Sequence, residues 1–195
     1  VSSDGNFRPA DFKFGDDGAL YVADWANALI GHMQHSARDP LRDHEHGRIY
    51  RVTYPSRPLV KPAKVDGASI DELLANLALP EYRTRYRTRR ELRGRDAMEV
   101  SKAASAWAAK QSDDRLKLEA LWVTWGADQI DAKLLTELSN SKDHRIRAAA
   151  VRVARFNAHK LANLTEILSK AANDEHGRVR LEAIAAASYL PADQG

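Results

Sequence analysis

The chain has 195 residues, of which 44% are hydrophobic and 29% charged, and its formal net charge at pH 7 is +3. A chain of this size can bury one ordinary core or two small ones. The small net charge does not give the global positive field of a dedicated nucleic-acid-binding protein. The absence of cysteine excludes disulfides, thiolate metal sites and covalent haem attachment within this chain. No apolar run approaches the length of a membrane span.

Three segments near the start of the chain alternate apolar and polar residues, the pattern of a β-strand. They are "ADFKF", "ALYVADW" and "GRIYRVTY", and "GDDG" supplies a hairpin turn between the first two. A three-stranded sheet cannot cover both of its own faces, and apolar residues point to both. These residues are Phe12, Phe14, Tyr21, Val22, Ile49 and Val52. We therefore assign residues 1–54 to a short antiparallel sheet that needs neighbouring sheets.

The connection between the second and third strands is rich in ionisable side chains. Its candidate site residues, with the end of the second strand, are Asp24, Trp25, His32, His35, Arg38, Asp39, Arg42, Asp43, His44 and His46.

Three interpretations of this connection are open. First, its arginines, together with Arg48, could neutralise its acidic residues Asp39, Asp43 and Glu45 in a structural network. Second, the same group could contact a substrate or cofactor. Third, His44 and His46, which share one side of an extended segment, could bind a metal with other members of the group. The string "HEH" lacks the histidine spacing of a zincin helix, and no other catalytic motif is present.

Residues 55–68 are predicted to be a linker, because three of the seven prolines fall within eight positions of this segment. After it, residues 69–195 are predicted to be entirely helical. Ser69 precedes Glu72 by three positions, which indicates a capping box at the start of the first helix. Amphipathic patterns predict first helices of four helical hairpins at 69–79, 97–111, 129–139 and 160–172.

The second helix of each predicted hairpin begins with a repeated pattern of base, apolar residue, base. The copies are "RYRTRRE" from Arg85, "RLKLEAL" from Arg115, "RIRAAAV" from Arg145 and "RVRLEAI" from Arg178, at spacings of 30, 30 and 33 residues. The sixth position holds Arg90 in the first copy and Ala120, Ala150 and Ala183 in the others. A period of about 30 residues with two helices per unit is typical of an α-solenoid.

The repeat resembles the HEAT type, although its period is shorter. In that type an acidic residue starts the second helix, and an apolar residue followed by a base lies shortly after it. Here Asp114, Asp143 and Asp174 precede the pairs Leu116-Lys117, Ile146-Arg147 and Val179-Arg180. We expect each aspartate to cap its own helix, while the base pairs with the aspartate of an adjacent repeat.

The segment 81–95 contains seven arginines interleaved with tyrosines. One interpretation is an anion-binding or partner surface, with Arg83, Arg85, Arg87 and Arg90 as its candidates. The other is that the segment is simply the polar second helix of a terminal repeat.

The first 54 residues also resemble a known family. The strings "LYVADW", "IGHMQH" and "RDPLRDHEHGRIYRV", followed by a proline-rich linker and HEAT-like repeats, are similar to the closing β-propeller blade of large membrane-bound dehydrogenases of planctomycete-type bacteria. That family in turn resembles soluble glucose and sorbosone dehydrogenases.

The resemblance implies a protein of the periplasm or cell envelope. It implies a charged loop at the propeller mouth, a sugar or alcohol substrate, and PQQ and a c-type haem domain in a longer parent protein rather than in this chain. The resemblance identifies no catalytic histidine, and we expect no turnover from this chain alone.

Three function classes follow. In the first, the chain is part of an envelope oxidoreductase whose helical repeats act as a docking or spacer module. In the second, it is a non-enzymatic scaffold that binds a protein through those repeats. In the third, it binds nucleic acid through residues 81–95. We favour the first, with the scaffold as the alternative.

Overall fold

A computed structural model describes residues 2–27, 39–40 and 42–190. Two compact units make up the chain, and the division lies between Ala63 and Lys64. We refer to them as the sheet unit and the helical unit. The predicted candidates His32, His35 and Arg38 lie outside the described residues.

The sheet unit contains the predicted antiparallel sheet. Its strands are β1 (Pro9–Phe14), β2 (Leu20–Asp24) and β3 (Arg48–Val52), in the order β1-β2-β3. In its register Phe12 lies opposite Val22, which lies opposite Tyr50. The sheet and its strand positions are therefore confirmed.

The turn between β1 and β2 is organised by Asp17. Its carboxylate accepts hydrogen bonds from the Ala19 amide at 3.0 Å and the Tyr21 hydroxyl at 2.9 Å, and it pairs with Arg51 at 2.5 Å. The Asp17 carbonyl accepts a hydrogen bond from the Val60 amide at 2.8 Å. One turn residue thus contacts β2, β3 and part of the proline-rich segment.

One face of the sheet carries most of its large apolar side chains. Because side chains alternate along a strand, Phe12 and Phe14 share a face with Tyr50 and Val52. Phe12 is 68% exposed, Phe14 62% and Val52 52%. Ile49 lies on the opposite face and is also exposed. The described part of the sheet unit therefore leaves a large apolar surface exposed.

The helical unit contains eight α-helices between residues 64 and 190. They are α1 (Ile70–Asn76), α2 (Tyr82–Arg93), α3 (Ala97–Ala108), α4 (Asp114–Gly126), α5 (Ala132–Leu138), α6 (His144–Phe156), α7 (Leu164–Ala172) and α8 (Gly177–Ala187). A short 3₁₀ helix, Ala158–Lys160, precedes α7. The chain therefore combines a small antiparallel sheet with helices.

Contacts between the helices follow a simple order. Consecutive helices contact each other in the pairs α1/α2, α3/α4, α5/α6 and α7/α8. The second helix of each pair also contacts the second helix of the next, so that α2, α4, α6 and α8 follow one another. The largest fully buried side chains in these helices are leucines and valines from seven of them, namely Leu73, Leu74, Leu92, Val100, Leu121, Leu135, Leu138, Val151, Val153 and Val179.

The helix starts agree with the capping signals in the sequence. The Ser69 hydroxyl accepts from the Glu72 amide, and the Glu72 carboxylate accepts from the Ser69 amide at 2.7 Å, so the predicted capping box is confirmed. Asp143 caps α6 as predicted. Two predicted caps are wrong, because Asp113 rather than Asp114 caps α4 and His176 rather than Asp174 caps α8.

The helix starts also correct the register of the first repeat. The N-cap residues of α2, α4, α6 and α8 are Glu81, Asp113, Asp143 and His176. Counted from these caps, Arg83 rather than Arg85 corresponds to Arg115, Arg145 and Arg178.

The small buried position of the first repeat is consequently Thr88, not Arg90. Thr88, Ala120 and Ala150 are 0% exposed and Ala183 is 1% exposed, whereas Arg90 is exposed. The first copy misled the sequence comparison because arginine occupies almost every second position between 83 and 89.

One of the predicted ion pairs between repeats is present. Arg147 in α6 donates to both carboxylate oxygens of Asp174 at 2.7 and 2.8 Å, and to the carbonyl oxygens of Ser141 and Lys142. In the preceding pair of repeats Lys117 instead pairs with Glu137 at 2.5 Å, while Asp114 accepts from the Ser141 hydroxyl. The ladder of identical pairs is therefore wrong in detail, since each junction uses different partners.

Candidate functional site

Asp24, at the end of β2, is a structural anchor of the sheet unit. Its buried carboxylate accepts hydrogen bonds from the amides of Arg8 at 2.7 Å and Ala26 at 2.9 Å and pairs with Arg48 at 2.8 Å. Burial raises the pKa of Asp24, but these amide hydrogen bonds and the Arg48 charge outweigh it, so its pKa lies below the ordinary value. Asp24 therefore joins the start of the chain, β2 and β3 through these contacts.

Arg48 does not join the predicted network with the acidic residues of the connection. Its guanidinium pairs with Asp24 and, at 2.6 Å, with Asp4. That part of the network prediction is wrong, because no sequence pattern indicates that Asp4 lies beside the start of β3.

The described part of the connection is organised by Asp43. Its carboxylate accepts from the amides of Glu45 and His46 at 3.0 Å and lies 3.1 Å from Nδ1 of His46. The amide hydrogen bonds of Glu45 and His46 and the contact with the His46 ring hold the pKa of Asp43 below its ordinary value. His44 is exposed. Within residues 2–27, 39–40 and 42–190, no group of three or more histidine, aspartate or glutamate side chains is arranged to hold a metal ion.

Trp25 and Arg42 form an aromatic contact in the described part of this region. The Arg42 guanidinium carbon lies 4.9 Å from the centroid of the Trp25 ring, and Trp25 is half exposed. Asp39 is partly buried. Among the described candidates of the connection, Trp25 lies against Arg42, and Asp43 lies against His46.

The four arginine candidates of α2 have different environments. The amide of Arg83 donates to the N-cap Glu81, and Arg85 pairs with the buried Glu119 of α4 at 3.1 Å and donates to the carbonyl oxygens of Leu79 and Pro80. Arg87 and Arg90 line a shallow hollow together with Val65 and Glu91. Arg90 also lies 6.0 Å from the centroid of the Tyr86 ring.

A groove runs along α2 and the C-terminal half of α4, with a volume of about 710 Å³. We call it the aromatic groove. Its lining residues are Tyr82, Tyr86, Arg89, Arg90, Arg93, Trp122, Trp125, Gly126 and Asp128. The rings of Tyr82 and Tyr86 stack with centroids 6.4 Å apart, and Arg89 lies 5.4 Å from the centroid of the Trp122 ring. Arg89 also pairs with Glu119.

A second hollow of about 500 Å³ continues from the same tryptophans towards α6 and α8. In it the rings of His144 and His176 stack with centroids 3.6 Å apart, and Arg152 pairs with the buried Glu182 at 2.5 Å. Trp122 and Trp125 line both cavities, so the two form one continuous surface on the second helices.

The sequence analysis missed Arg89, Arg93, Trp122 and Trp125 as members of this surface. The tryptophans lie in α4, about 40 residues from the tyrosines of α2, and only the contact between these helices brings them together. The available signal was that the ninth and twelfth residues after the cap are arginine or tryptophan in the first three repeats, although they are Ala185 and Ser188 in the fourth.

The comparisons with known proteins concern the sheet unit. Residues 1–56 match the model of a family described as a domain of unknown function, DUF7133. That match covers the three strands and ends before the helical unit. No curated protein and no solved structure matches the chain. None of the described helices is long and apolar enough to cross a membrane.

Proposed function

We propose that the sheet unit is a blade of a larger β-propeller in a dehydrogenase-like protein of the cell envelope, and that the helical unit is its HEAT-like docking module. The exposed apolar face of the sheet, with Phe12, Phe14 and Val52, carries this proposal. Contiguous exposed apolar surface marks an interface. A propeller blade has four strands and packs on its neighbours through such faces, whereas this sheet has three.

The helical unit supports the second half of the proposal. Successive second helices contact one another, and each has one small buried residue at the same distance from its cap. A small residue at a regular position allows close approach of neighbouring helices, as an α-solenoid requires. Its repeated hairpins then space or dock another domain.

The connection after β2 would contribute to a sugar-binding or alcohol-binding site at the propeller mouth. We tested whether its described residues fit PQQ, the quinone that the resemblance implies. Asp24 and Arg48 pair with each other, and the Asp43 carboxylate accepts a hydrogen bond from the His46 amide and contacts the His46 ring. These residues do not form a site for PQQ, and we derive no reaction step through it.

The proposal is tested with paired substitutions on the exposed face. In the complete product of the gene, Phe12→Lys with Val52→Lys should lower the melting temperature by about 5 °C or more, because two charges would be buried between blades. In the 195-residue chain the same change should have little effect. Tyr54→Lys, at an exposed position beyond β3, is the control. Equal, small shifts in both proteins would contradict the blade assignment.

The activity is tested separately. The complete gene product, supplied with PQQ and an electron-accepting dye, should reduce the dye with at least one member of a panel of sugars and alcohols. The 195-residue chain should not. A complete product that is inactive on the whole panel would contradict the oxidoreductase half of the proposal.

The aromatic groove favours a second candidate, a non-enzymatic protein-binding scaffold. This alternative predicts that the helical unit alone binds the partner and that substitution of His44 and His46 has no effect. Loss of partner binding in a His44→Ala and His46→Ala variant would count against it.

A further inference from the structure

We propose that the aromatic groove binds an acidic segment of a partner protein, whose carboxylates pair with Arg90 and Arg93 while its apolar side chains pack on Tyr82, Tyr86 and Trp122. This inference rests on the docking role proposed above for the helical unit. It adds the site and the chemistry of the partner.

The aromatic side chains of the groove make it suitable for protein binding. Tyr82 is 61% exposed and Tyr86 46% exposed, although both are large amphipathic rings. Tyrosine, tryptophan and arginine are the residues that most often dominate binding energy at interfaces. A volume of about 710 Å³ accommodates several side chains of a peptide.

The charge of the groove selects an acidic occupant. Arg89 pairs with the buried Glu119, which it shares with Arg85. The acidic lining residue Asp128 is neutralised by Lys160 at 2.5 Å. Arg90 and Arg93 form no ion pair within the described part of the chain, so the uncompensated charge of the groove is positive. Carboxylates of a partner would complement it and could bind each guanidinium through two hydrogen bonds.

The groove is also held in its shape before a partner arrives. Glu119 fixes α2 against α4 through Arg85 and Arg89. Arg85 lies 5.8 Å from the centroid of the Tyr82 ring and Arg90 6.0 Å from that of Tyr86, so the cations lie close to the ring faces. A preformed site loses less conformational entropy on binding.

A peptide fits this surface better than a nucleic acid does. A nucleic-acid site usually neutralises many phosphates, and its affinity falls steeply with salt for that reason. The aromatic groove offers two uncompensated guanidinium groups. The expected dependence of affinity on salt is correspondingly shallow, because only two ion pairs are screened.

The test is selection from a phage-displayed library of random 12-residue peptides on the immobilised 195-residue chain. The expected enriched peptides carry net negative charge and at least one aromatic or large aliphatic residue. Fluorescence anisotropy then measures the affinity of the enriched peptides. Arg90→Glu with Arg93→Glu should weaken binding at least tenfold, because each carboxylate would meet a like charge.

The matched control is Lys133→Glu with Lys142→Glu. It changes the net charge by the same amount at two exposed positions outside the groove. Its binding should stay within about twofold of the original, because exposed charges far from the groove are screened. Circular dichroism at increasing temperature establishes that both double variants fold.

Four results would overturn the inference. They are a selection that yields no binder, enriched peptides without acidic character, unchanged affinity in the Arg90→Glu and Arg93→Glu variant, and tighter binding of an oligothymidylate than of the peptide at the same salt concentration. Each of these leaves the paired Phe12 and Val52 substitutions unaffected, so failure here is distinct from failure of the blade assignment.

Discussion

The sheet unit and the helical unit bury their apolar residues to very different degrees. Leu121 of α4 is 0% exposed, whereas Phe12 of β1 is 68% exposed. The helical unit completes its core from its own repeats. The sheet unit is held together by the hydrogen bonds between its strands and by the contacts of Asp17 and Asp24. The helical unit therefore buries its apolar side chains within its own helices, whereas the described part of the sheet unit leaves a large apolar face exposed.

The largest expected effect separates the two units directly. Leu121→Ala should lower the free energy of unfolding by about 4 kcal/mol, because it opens a cavity in a close-packed core. Phe12→Ala in the same chain should change it by less than about 1 kcal/mol. Urea unfolding followed by circular dichroism measures both. Similar losses would mean that the sheet face is already covered.

The second prediction concerns the junction between α6 and α8. Arg147→Ala should destabilise the helical unit by about 3 kcal/mol, because it leaves the Asp174 carboxylate and two carbonyl groups without their partner. Arg145→Ala is the matched control, since its guanidinium is exposed and pairs with Asp143 at the surface. That control should cost less than about 1 kcal/mol. Equal effects in thermal unfolding would refute a buried role for Arg147.

The third prediction concerns acid. The hydrogen bonds and charge of Arg145 lower the pKa of Asp143 to about 2, and those of Arg147 hold the pKa of Asp174 below its ordinary value. A carboxyl whose pKa is lowered by folding stabilises the fold above its unfolded pKa, near 4, and loses that contribution as the pH falls towards 2. Helical signal should therefore decline between about pH 4 and pH 2.

Asp174→Asn is the variant that sharpens this test. It should lower stability at pH 7 and make the acid transition shallower, because one of the carboxylates that titrate in that range is gone. A variant whose acid transition is as steep as the original would show that Asp174 does not contribute.

The smallest expected effect tests the corrected register. The hydroxyl oxygen of the buried Thr88 has no hydrogen-bond partner among the described residues. Thr88→Ala restores the residue found at this position in the other repeats, removes an unsatisfied hydroxyl and raises helix propensity. The unit should become about 0.5 to 1 kcal/mol more stable. Arg90→Ala, at the position first aligned with these alanines, should not stabilise it.

The elements were largely predictable from local patterns. Period-2 alternation located all three strands, and the Ser69 to Glu72 spacing located the start of α1. The predicted first helices were one to several residues too long at their ends, as at 97–111 against Ala97–Ala108. End residues are decided by caps and packing, which periodicity does not report.

The candidate site was less predictable, because its geometry depends on contacts between distant segments. The charge of Arg85 was evident, but its pairing with Glu119 depends on how α2 lies against α4. The pairing of Asp4 with Arg48 likewise joins residues 44 positions apart. Sequence patterns indicate which side chains are available, and tertiary contacts decide which of them remain unpaired.

The residue six positions after the cap differs between the second helices, and this difference affects where the helical unit can bend. Glu119 anchors α4 to α2 and Glu182 anchors α8 to α6, while Ala149 occupies the corresponding position of α6. The junction between α4 and α6 thus lacks the buried glutamate that pairs with an arginine of the preceding second helix at the junctions on either side. We therefore expect bending of the helical unit to occur mainly at the junction between α4 and α6, beside Trp122 and Trp125. A ligand that contacts both cavities would bridge this junction and reduce its bending.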